Sequence, residues 1–300
     1  MLLSHCKRAT LLFMVLGGGC VDPKPERQGS AAPSTLATAP DEYFESAPGV
    51  RLRFRQAGSG DPVVLLHGFT ASLEAVAPLA DSLAIGHRIV ALDQRGHGRS
   101  TVPSESDAYG REMGDDVVRL LDHLEIERAH LVGHSMGAVV SAFVASRYPD
   151  RVATVSMIAP PFFADSAAAS AELAPVVAEL AAGGGFHAFF ERFAPEMPDS
   201  MVEGVNAAML ADHDRAMLIG VMQTLPELSI GRAGASVARV PAVIVTGLVD
   251  TLRVEDRALA GWWPDARFVE VAGADHVSVF GHPATIAAIR ARIDTSQQRR

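Results

Sequence analysis

Ser135 is the residue whose surroundings most directly suggest chemistry. It lies in the stretch AHLVGHSMGA (129–138), with one glycine two positions before it and another two positions after it. Glycines at these positions remove side-chain clashes from a very tight turn, so a serine there can adopt a strained conformation that exposes its hydroxyl. A serine hydroxyl is a poor nucleophile until a base takes its proton. The pattern therefore predicts a nucleophile at Ser135 whose base comes from elsewhere in the chain.

A candidate acid and a candidate base follow two strand-like runs near the C-terminal end. Asp250 comes just after the apolar run PAVIVTG (241–247), and His276 lies in the loop after ARFVEVAG (266–273). The carboxyl ends of parallel strands meet at one edge of a sheet, so these side chains can converge with Ser135. A histidine that a carboxylate orients is the usual base for a serine. We therefore expect a nucleophile, an acid and a base in that order along the chain.

Two backbone N–H groups are candidates to stabilise the negative oxygen that forms when a serine attacks a carbonyl. The run LLHGFT (65–70) ends a strand, and Gly68 lets the backbone approach a substrate closely. The N–H of Phe69 is then one donor, and the N–H of Met136, directly after the serine, is the other. One such donor is worth about 3 kcal/mol in the transition state.

Three other histidines have simpler interpretations. His282 precedes Pro283 and marks the start of a helix. His134 is next to Ser135, but neighbouring side chains at a tight turn point apart, so we expect it to pack or to make a secondary contact. His97, in the run DQRGHGRS, is expected to hold its own loop.

The elements that must position these residues alternate between strand and helix from residue 50 onward. Apolar runs such as HRIVALD (87–93) and VATVSMIAP (152–160) are typical of buried strands. Segments with helical periodicity, such as 114–126 and 136–148, separate them. This alternation predicts a mostly parallel α/β sheet with helices on both faces.

The alternation stops between about residues 161 and 239. Helical pieces rich in Ala, Phe and Met replace the strand-like runs and are separated by a triple glycine and by prolines. We expect an inserted all-helical segment over the sheet. Its phenylalanines either pack between helices and sheet or line an apolar pocket, and both interpretations can hold for different residues; they are Phe162, Phe163, Phe186, Phe189, Phe190 and Phe193.

Composition limits the kinds of partner. The chain has 300 residues, of which 48% are hydrophobic, which is enough for one large core. Its net charge is −9 without a basic stripe, which argues against a nucleic-acid partner. Both cysteines, Cys6 and Cys20, lie in the first twenty residues, so we expect neither a disulfide nor a thiolate metal site in the domain.

The N-terminus has the features of an export signal. Lys7 and Arg8 precede the short apolar run 9–16, and small residues lead to Cys20, a candidate for lipidation. Gly17 occupies the position where a lipoprotein signal has a leucine-like residue, so ordinary secretion and a retained anchor stay as alternatives. We expect a signal peptide at 1–20, a flexible linker at 21–45 and one domain at 46–300. The predicted location is the bacterial cell envelope, with the protein either secreted or tethered to a membrane through Cys20.

The motifs HGF, DQRGHGRS, GHSMG, VTGLVD and GADH, in this order, resemble those of the α/β-hydrolase superfamily, in its lid-bearing serine hydrolase or esterase branch. The resemblance covers Val50 to Ile293. It implies an eight-stranded, mostly parallel sheet, a helical lid after the sixth strand, and neither a cofactor nor a metal. It also implies the same roles for Ser135, Asp250 and His276, and an oxyanion hole at Phe69 and Met136.

Other acids in the sequence are weaker candidates. Asp165 follows the preceding strand, where some hydrolases keep their acid. Asp93 would be a nucleophile only in a dehalogenase-like site, and the serine already fills that role here. Asp256 and Asp265 are expected to be solvated surface acids.

These residues together predict a serine hydrolase that cleaves an ester or a related acyl bond through an acyl-enzyme on Ser135. The substrate is expected to be a small molecule with an apolar part. The same residues could act on a lactone, a thioester or a carbon–carbon bond, or could form a peracid, because pocket shape decides between these. A non-catalytic binding module of the envelope is a further alternative, which the complete Ser/Asp/His set argues against. The sequence leaves the oligomeric state open.

Overall fold

One eight-stranded sheet forms the centre of the computed structural model, which describes residues 35–195 and 197–297. Its strands are β1 (Glu42–Ala47), β2 (Val50–Gly58), β3 (Asp61–Leu66), β4 (His87–Leu92), β5 (Ala129–His134), β6 (Val152–Ile158), β7 (Ala242–Gly247) and β8 (Ala266–Val271). They lie in the order β1-β2-β4-β3-β5-β6-β7-β8. The β1–β2 and β2–β4 pairs are antiparallel and the other pairs are parallel, which confirms the predicted sheet.

The first strand lies partly inside the segment 21–45 that the sequence predicts to be a flexible linker. β1 begins at Glu42 and forms an antiparallel ladder with β2, and the side chain of Phe44 is buried in the core. Ordered structure therefore starts before the predicted boundary. The sequence EYFESA is polar at most positions, as edge strands are, so it lacks the apolar run that identified the inner strands.

Helices cover both faces of the sheet, as predicted. The helices are α1 (Ala77–Leu83), α2 (Arg111–His123), α3 (Met136–Arg147), α4 (Ser166–Ala181), α5 (His187–Phe193), α6 (Asp199–Asp212), α7 (Arg215–Thr224), α8 (Gly231–Ser236), α9 (Arg253–Trp262) and α10 (Pro283–Gln297). One buried apolar cluster joins a face of the sheet to α2, α3 and α9, and a second cluster joins the other face to α1 and α10. The inner strands are therefore buried on both sides, which explains their continuous apolar sequences.

Five helices, α4 to α8, lie between β6 and β7. This segment corresponds to the helical insertion predicted at about 161–239, and no strand occurs in its described residues. Its role as a lid stays a prediction.

The predicted signal peptide, Cys20 and residues 21–34 of the predicted linker lie outside the described residues. Within the described ranges, no helix combines the length and the apolar character needed to cross a lipid bilayer.

A buried arginine of β2 forms ion pairs with carboxylates that precede β1 and follow β3 and β4. Arg53 is fully buried, and its guanidinium lies 2.9 Å from Asp93, 2.7 Å from Asp41 and 2.6 Å from Glu74. Burial opposes ionisation of Asp41 and Glu74, but hydrogen bonds from Arg53 outweigh this effect and lower the pKa of both carboxyls to about 2. The oxygens of Asp93 also accept hydrogen bonds from the backbone N–H groups of Leu73 and Arg99, at 2.7 and 2.9 Å.

We expect the replacement Asp93→Asn to lower the free energy of unfolding by about 3–5 kcal/mol, because it leaves the buried Arg53 without its innermost carboxylate. Arg257→Gln is the control, since Arg257 forms an ion pair with Glu270 at 2.6 Å while its own side chain is 60% exposed. Losing an exposed pair of this kind costs about 0–1 kcal/mol. Urea denaturation of both variants measures the difference, and equal losses would contradict the structural role given to Asp93.

Candidate active site

Ser135 occupies a strained turn between β5 and α3. Its backbone has φ 52° and ψ −118°, a left-handed conformation that non-glycine residues rarely adopt. A Cβ atom on Gly133 would lie 2.1 Å from the carbonyl oxygen of Gly137, and one on Gly137 would lie 2.3 Å from that of Leu66. No side chain fits at either position, so both glycines are needed for the turn that the sequence predicts.

The structure brings the three predicted side chains into one hydrogen-bonded line. The Nε2 atom of His276 is 3.0 Å from the Oγ of Ser135, and its Nδ1 is 3.1 Å from the Oδ2 of Asp250. The carboxylate of Asp250 accepts a hydrogen bond from the N–H at Nδ1, so the lone pair of Nε2 faces the serine hydroxyl. This is the arrangement that can withdraw a proton from a serine.

The acid and the base are held by the loops that follow β7 and β8. The side chain of Asp250 is fully buried, and its Oδ1 accepts a hydrogen bond from the backbone N–H of Leu252 at 2.9 Å. Next to His276, the Oδ1 of Asp275 accepts from the backbone N–H groups of Val277 and Ser278 at 3.1 and 2.7 Å. Hydrogen bonds from Ser278 lower the pKa of Asp275, so this carboxylate stays charged and fixes the turn that carries the base.

The two predicted oxyanion donors lie on either side of the serine. Phe69, Ser135 and Met136 line the same cavity, and a Cβ atom on Gly68 would lie 3.4 Å from the Cβ of Ser135. Met136 is the first residue of α3, so its N–H has no partner inside the helix. Within the described residues, the N–H groups of Phe69 and Met136 make no hydrogen bond, which leaves both available to a ligand.

His67 fixes the orientation of one of these donors, a contact that sequence reasoning missed. Its Nδ1 donates to the carbonyl oxygen of Gly68 at 2.7 Å, and its Nε2 accepts from the backbone N–H of Gln94 at 3.1 Å. The carbonyl of Gly68 and the N–H of Phe69 belong to one trans peptide, so they point in opposite directions. Holding the carbonyl therefore holds the N–H of Phe69.

His134 makes a second contact of this kind. Its Nε2 is 2.9 Å from the backbone carbonyl oxygen of His276, and since a carbonyl only accepts, the ring must donate. The two rings are 5.3 Å apart, and the ring of Phe280 packs on the other side of His134 at 5.1 Å. The secondary contact expected from the sequence is thus a direct link from the turn of Ser135 to the loop of the base.

The remaining histidines have structural contacts, as expected. The ring of His97 is buried and its Nδ1 donates to the carbonyl oxygen of Arg95 at 3.0 Å, within its own loop. The Nδ1 of His282 accepts from the N–H of Ala284 at 3.1 Å, at the start of α10.

The alternative acids lie in other surroundings, and one expectation about them is wrong. Asp165 caps α4 by accepting from the N–H of Ala168 at 2.8 Å, and Asp93 belongs to the network of Arg53. Asp265 is partly exposed and pairs with Arg292 at 2.7 Å. Asp256 is not a surface acid: it is fully buried on α9, and burial raises its pKa well above the usual value. An amphipathic helix does not reveal from its sequence where its polar face ends, so this burial was not predictable.

A narrow apolar chamber opens beside the serine hydroxyl. Apart from Ser135 and His276, its lining consists of apolar side chains; they are Phe69, Met136, Pro161, Phe163, Leu173, Phe189, Phe193, Met222, Leu225 and Leu252. The sequence left open whether each of six phenylalanines packs in the core or lines a pocket. Three of them, Phe163, Phe189 and Phe193, line the chamber. Phe186 and Phe190 are buried in the core instead.

No group of three or more His, Cys, Asp or Glu side chains that could hold a metal ion occurs in residues 35–195 and 197–297. The expectation of a site without metal or cofactor stays a prediction.

Comparison with known proteins finds relatives of part of the sequence and of the whole fold. A family model described as the alpha/beta hydrolase fold matches residues 61–196. The chain is 37% identical over 154 residues to the dihydrolipoyllysine-residue acetyltransferase component of the acetoin cleaving system of Cupriavidus necator, covering 47% of this chain and 41% of that protein. It is 41% identical over 130 residues to epoxide hydrolase A of Mycobacterium tuberculosis, covering 41% and 39%.

These matches span less than half the length of the curated relatives. Among solved structures, a thermophilic esterase from Thermogutta terrifontis has a TM-score of 0.70 at 23% identity, over 86% of this chain and 99% of that one.

We expect Gly137→Ala to lower the free energy of unfolding by about 3 kcal/mol, because its Cβ would meet backbone atoms of β3 that cannot move aside. Gly204→Ala is the matched control: Gly204 lies in α6 with no atom within 4 Å of an added Cβ. The free energy of unfolding of that variant should rise by about 0.5–1 kcal/mol, because alanine is favoured over glycine in an exposed helix. Thermal and urea unfolding measure both, and a harmless Gly137→Ala would contradict the tight packing of the turn.

We also expect the fold to lose stability in mild acid. Burial lowers the pKa of His67 and His134 to about 4 and that of His97 to about 3, from the ordinary value of 6.5. Between pH 6.5 and about 4, the unfolded chain therefore binds three protons that the folded chain excludes, so stability falls as pH falls. Asp256 opposes this change, because burial raises its pKa in the folded state.

Near pH 5 the three rings by themselves correspond to a loss of about 4 kcal/mol per pH unit, and the opposing change at Asp256 makes the observed loss smaller. Urea unfolding at pH 7, 6 and 5 measures this slope. His134→Gln removes one of the titrating rings. The pH dependence of the stability of this variant should therefore correspond to about one proton fewer than in the wild type. A stability that does not change between pH 6 and 5 would contradict the burial of the three rings.

Proposed function

Because the chain belongs to the α/β-hydrolase superfamily, we propose that it is a serine hydrolase that cleaves esters through an acyl-enzyme on Ser135. The observation that carries this proposal is the continuous hydrogen-bonded line from Asp250 through His276 to Ser135, with distances of 3.1 and 3.0 Å. The strained turn exposes the serine hydroxyl, and the N–H groups of Phe69 and Met136 near it have no hydrogen-bond partner in the part of the chain that the structure describes.

In the proposed reaction, Ser135 attacks the carbonyl carbon of the ester while the Nε2 of His276 takes its proton. The negative charge moves to the carbonyl oxygen, where the N–H groups of Phe69 and Met136 stabilise it. His276 then gives the proton to the leaving alcohol, and the acyl group stays on the serine. A water molecule, activated by the same histidine, releases the acid and restores the hydroxyl.

The apolar chamber supports a small-molecule substrate whose acyl part is apolar. Among the described residues, no Asp, Glu, Lys or Arg side chain lines it, so a charged acyl group would lose its hydration without gaining an ionic partner. The same carbonyl chemistry could serve a lactone or a thioester, and the geometry of the reacting atoms does not separate these from an ester. The experiment below therefore includes them.

The proposed location is the bacterial cell envelope, reached through the export signal at residues 1–20. Lipidation of Cys20 would tether the domain to a membrane through the residues between 21 and β1. The support for this part of the proposal is the sequence of the N-terminus alone.

We expect Ser135→Ala to lower kcat by at least about 10⁴-fold, because the variant has no nucleophile. Asp250→Asn should lower kcat by about 10⁴-fold as well, because it leaves His276 in the wrong tautomer. Asp165→Asn is the matched control for the second variant, since Asp165 caps α4 and lies outside the line of the three side chains; it should keep the wild-type rate.

The measurement is kcat/KM over p-nitrophenyl esters, lactones and thioesters, together with labelling by a fluorophosphonate probe and mapping of the modified residue. Labelling of Ser135 with fastest turnover of esters is the expected result. Labelling with turnover of lactones alone would move the activity to that class. A wild-type protein that neither reacts with the probe nor turns over any compound would be a binding module instead.

A further inference from the structure

A second apolar cavity lies directly behind the chamber of Ser135. It extends between α3, α9 and the segment that follows β6. Its lining is apolar except for one serine; the residues are Val139, Ala142, Met157, Pro160, Pro161, Phe162, Phe163, Leu225, Leu228, Ser229, Ile230 and Leu259. We call this cavity the rear chamber and the one beside Ser135 the front chamber.

The two chambers share a wall. Pro161, Phe163 and Leu225 line both of them, so these three side chains stand between the serine and the rear chamber. Phe163 and Leu225 are both buried, at 8% and 5% exposure. A group bound in the front chamber would therefore meet these side chains before it reached the rear chamber.

Phe163 is the part of the wall that can be removed with the least damage to the fold. It lies in the irregular segment between β6 and α4, and among the described residues its ring stacks on no other aromatic ring. Leu225, in contrast, ends α7 with a hydrogen bond from its N–H to the carbonyl oxygen of Val221. Pro161 has no side chain long enough to fill the opening alone.

The apolar lining of both chambers indicates what kind of group could extend from one chamber into the other. Apolar cavities of this kind hold no ordered water that a ligand would have to displace. Each methylene that enters such a cavity strengthens binding by about fourfold. An unbranched chain has a smaller cross-section than a branched or ring-shaped acyl group, so it needs the least displacement of the lining to extend from Ser135 towards the shared wall.

We propose that the enzyme acts on esters of straight-chain acids and that Phe163 sets the maximum length of the acyl chain. The proposal rests on the ester hydrolysis proposed above and adds the substrate class and the residue that limits it. Chains that end in front of Phe163 gain from each added methylene, and longer chains meet its ring. Removing the ring would join the two chambers into one acyl site.

The test compares kcat/KM over p-nitrophenyl esters of straight-chain acids of increasing length for the wild type, Phe163→Ala and Phe163→Leu. The wild-type profile should rise with chain length and then fall. In Phe163→Ala the maximum should move to longer chains, with a gain of at least about tenfold on an ester too long for the wild type. Phe163→Leu should lie between the two, because leucine leaves part of the wall.

Phe162→Ala is the matched control. It removes the same side chain from the adjacent position, but Phe162 lines the rear chamber only and its ring packs against Trp262 at 5.6 Å. Its maximum should stay at the wild-type chain length, since the wall remains closed. The rate of fluorophosphonate labelling of Ser135 shows in each variant whether the catalytic residues are still assembled.

Three results would overturn the inference while leaving ester hydrolysis in place. They are a Phe163→Ala profile with its maximum at the wild-type length, an equal displacement in Phe162→Ala, and a wild type that prefers branched acyl groups over straight ones. A wild type that hydrolyses no ester and does not react with the probe would instead overturn the proposed function, and the inference with it.

Discussion

The site depends on the close approach of the turn at Ser135 to the end of β3. Gly137 lies so near the carbonyl oxygen of Leu66 that a single added carbon would be 2.3 Å from it. This contact sets the serine, the first N–H of α3 and the loop of Phe69 around one small space. The left-handed backbone of Ser135 is a local cost of about 1–3 kcal/mol, and the packing on both sides of the turn outweighs it. The packing that holds Ser135 in its strained conformation therefore also positions the groups around its hydroxyl.

Neutral buried histidines connect that turn to the groups around it. His67 orients the peptide before Phe69, and His134 joins the turn to the loop of His276. Both rings donate one hydrogen bond without carrying a charge, because burial keeps their pKa near 4. A lysine or an arginine could donate as well, but it would add a positive charge beside His276 and oppose protonation of the base during catalysis. Imidazole is suited to these positions because it is a rigid donor that stays neutral.

The sequence predicted those parts of the molecule that local pattern and sheet topology determine. The glycines around Ser135 indicate the turn, and the positions of Asp250 and His276 after their strands indicate one sheet edge. β1 was missed because an edge strand lacks a continuous apolar run. The contact of His134 with the carbonyl of His276 joins residues that are 142 positions apart, and the burial of Asp256 depends on what packs over α9. Neither has a local signal, because each results from tertiary packing.

The residues of the hydrogen-bonded line and most of the residues that line the apolar chamber come from different parts of the fold. Ser135, Asp250, His276 and the two N–H donors all follow strands of the sheet, so the sheet fixes the reacting atoms. Most of the apolar lining comes instead from the segment between β6 and β7, including Leu173, Phe189 and Met222. Because these side chains make no hydrogen bond to the reacting groups, changes among them alter the shape of the acyl site without altering the distances between serine, histidine and aspartate. Under the proposed function, the helical insertion would therefore determine substrate preference, and the sheet edge would provide the groups for acyl transfer.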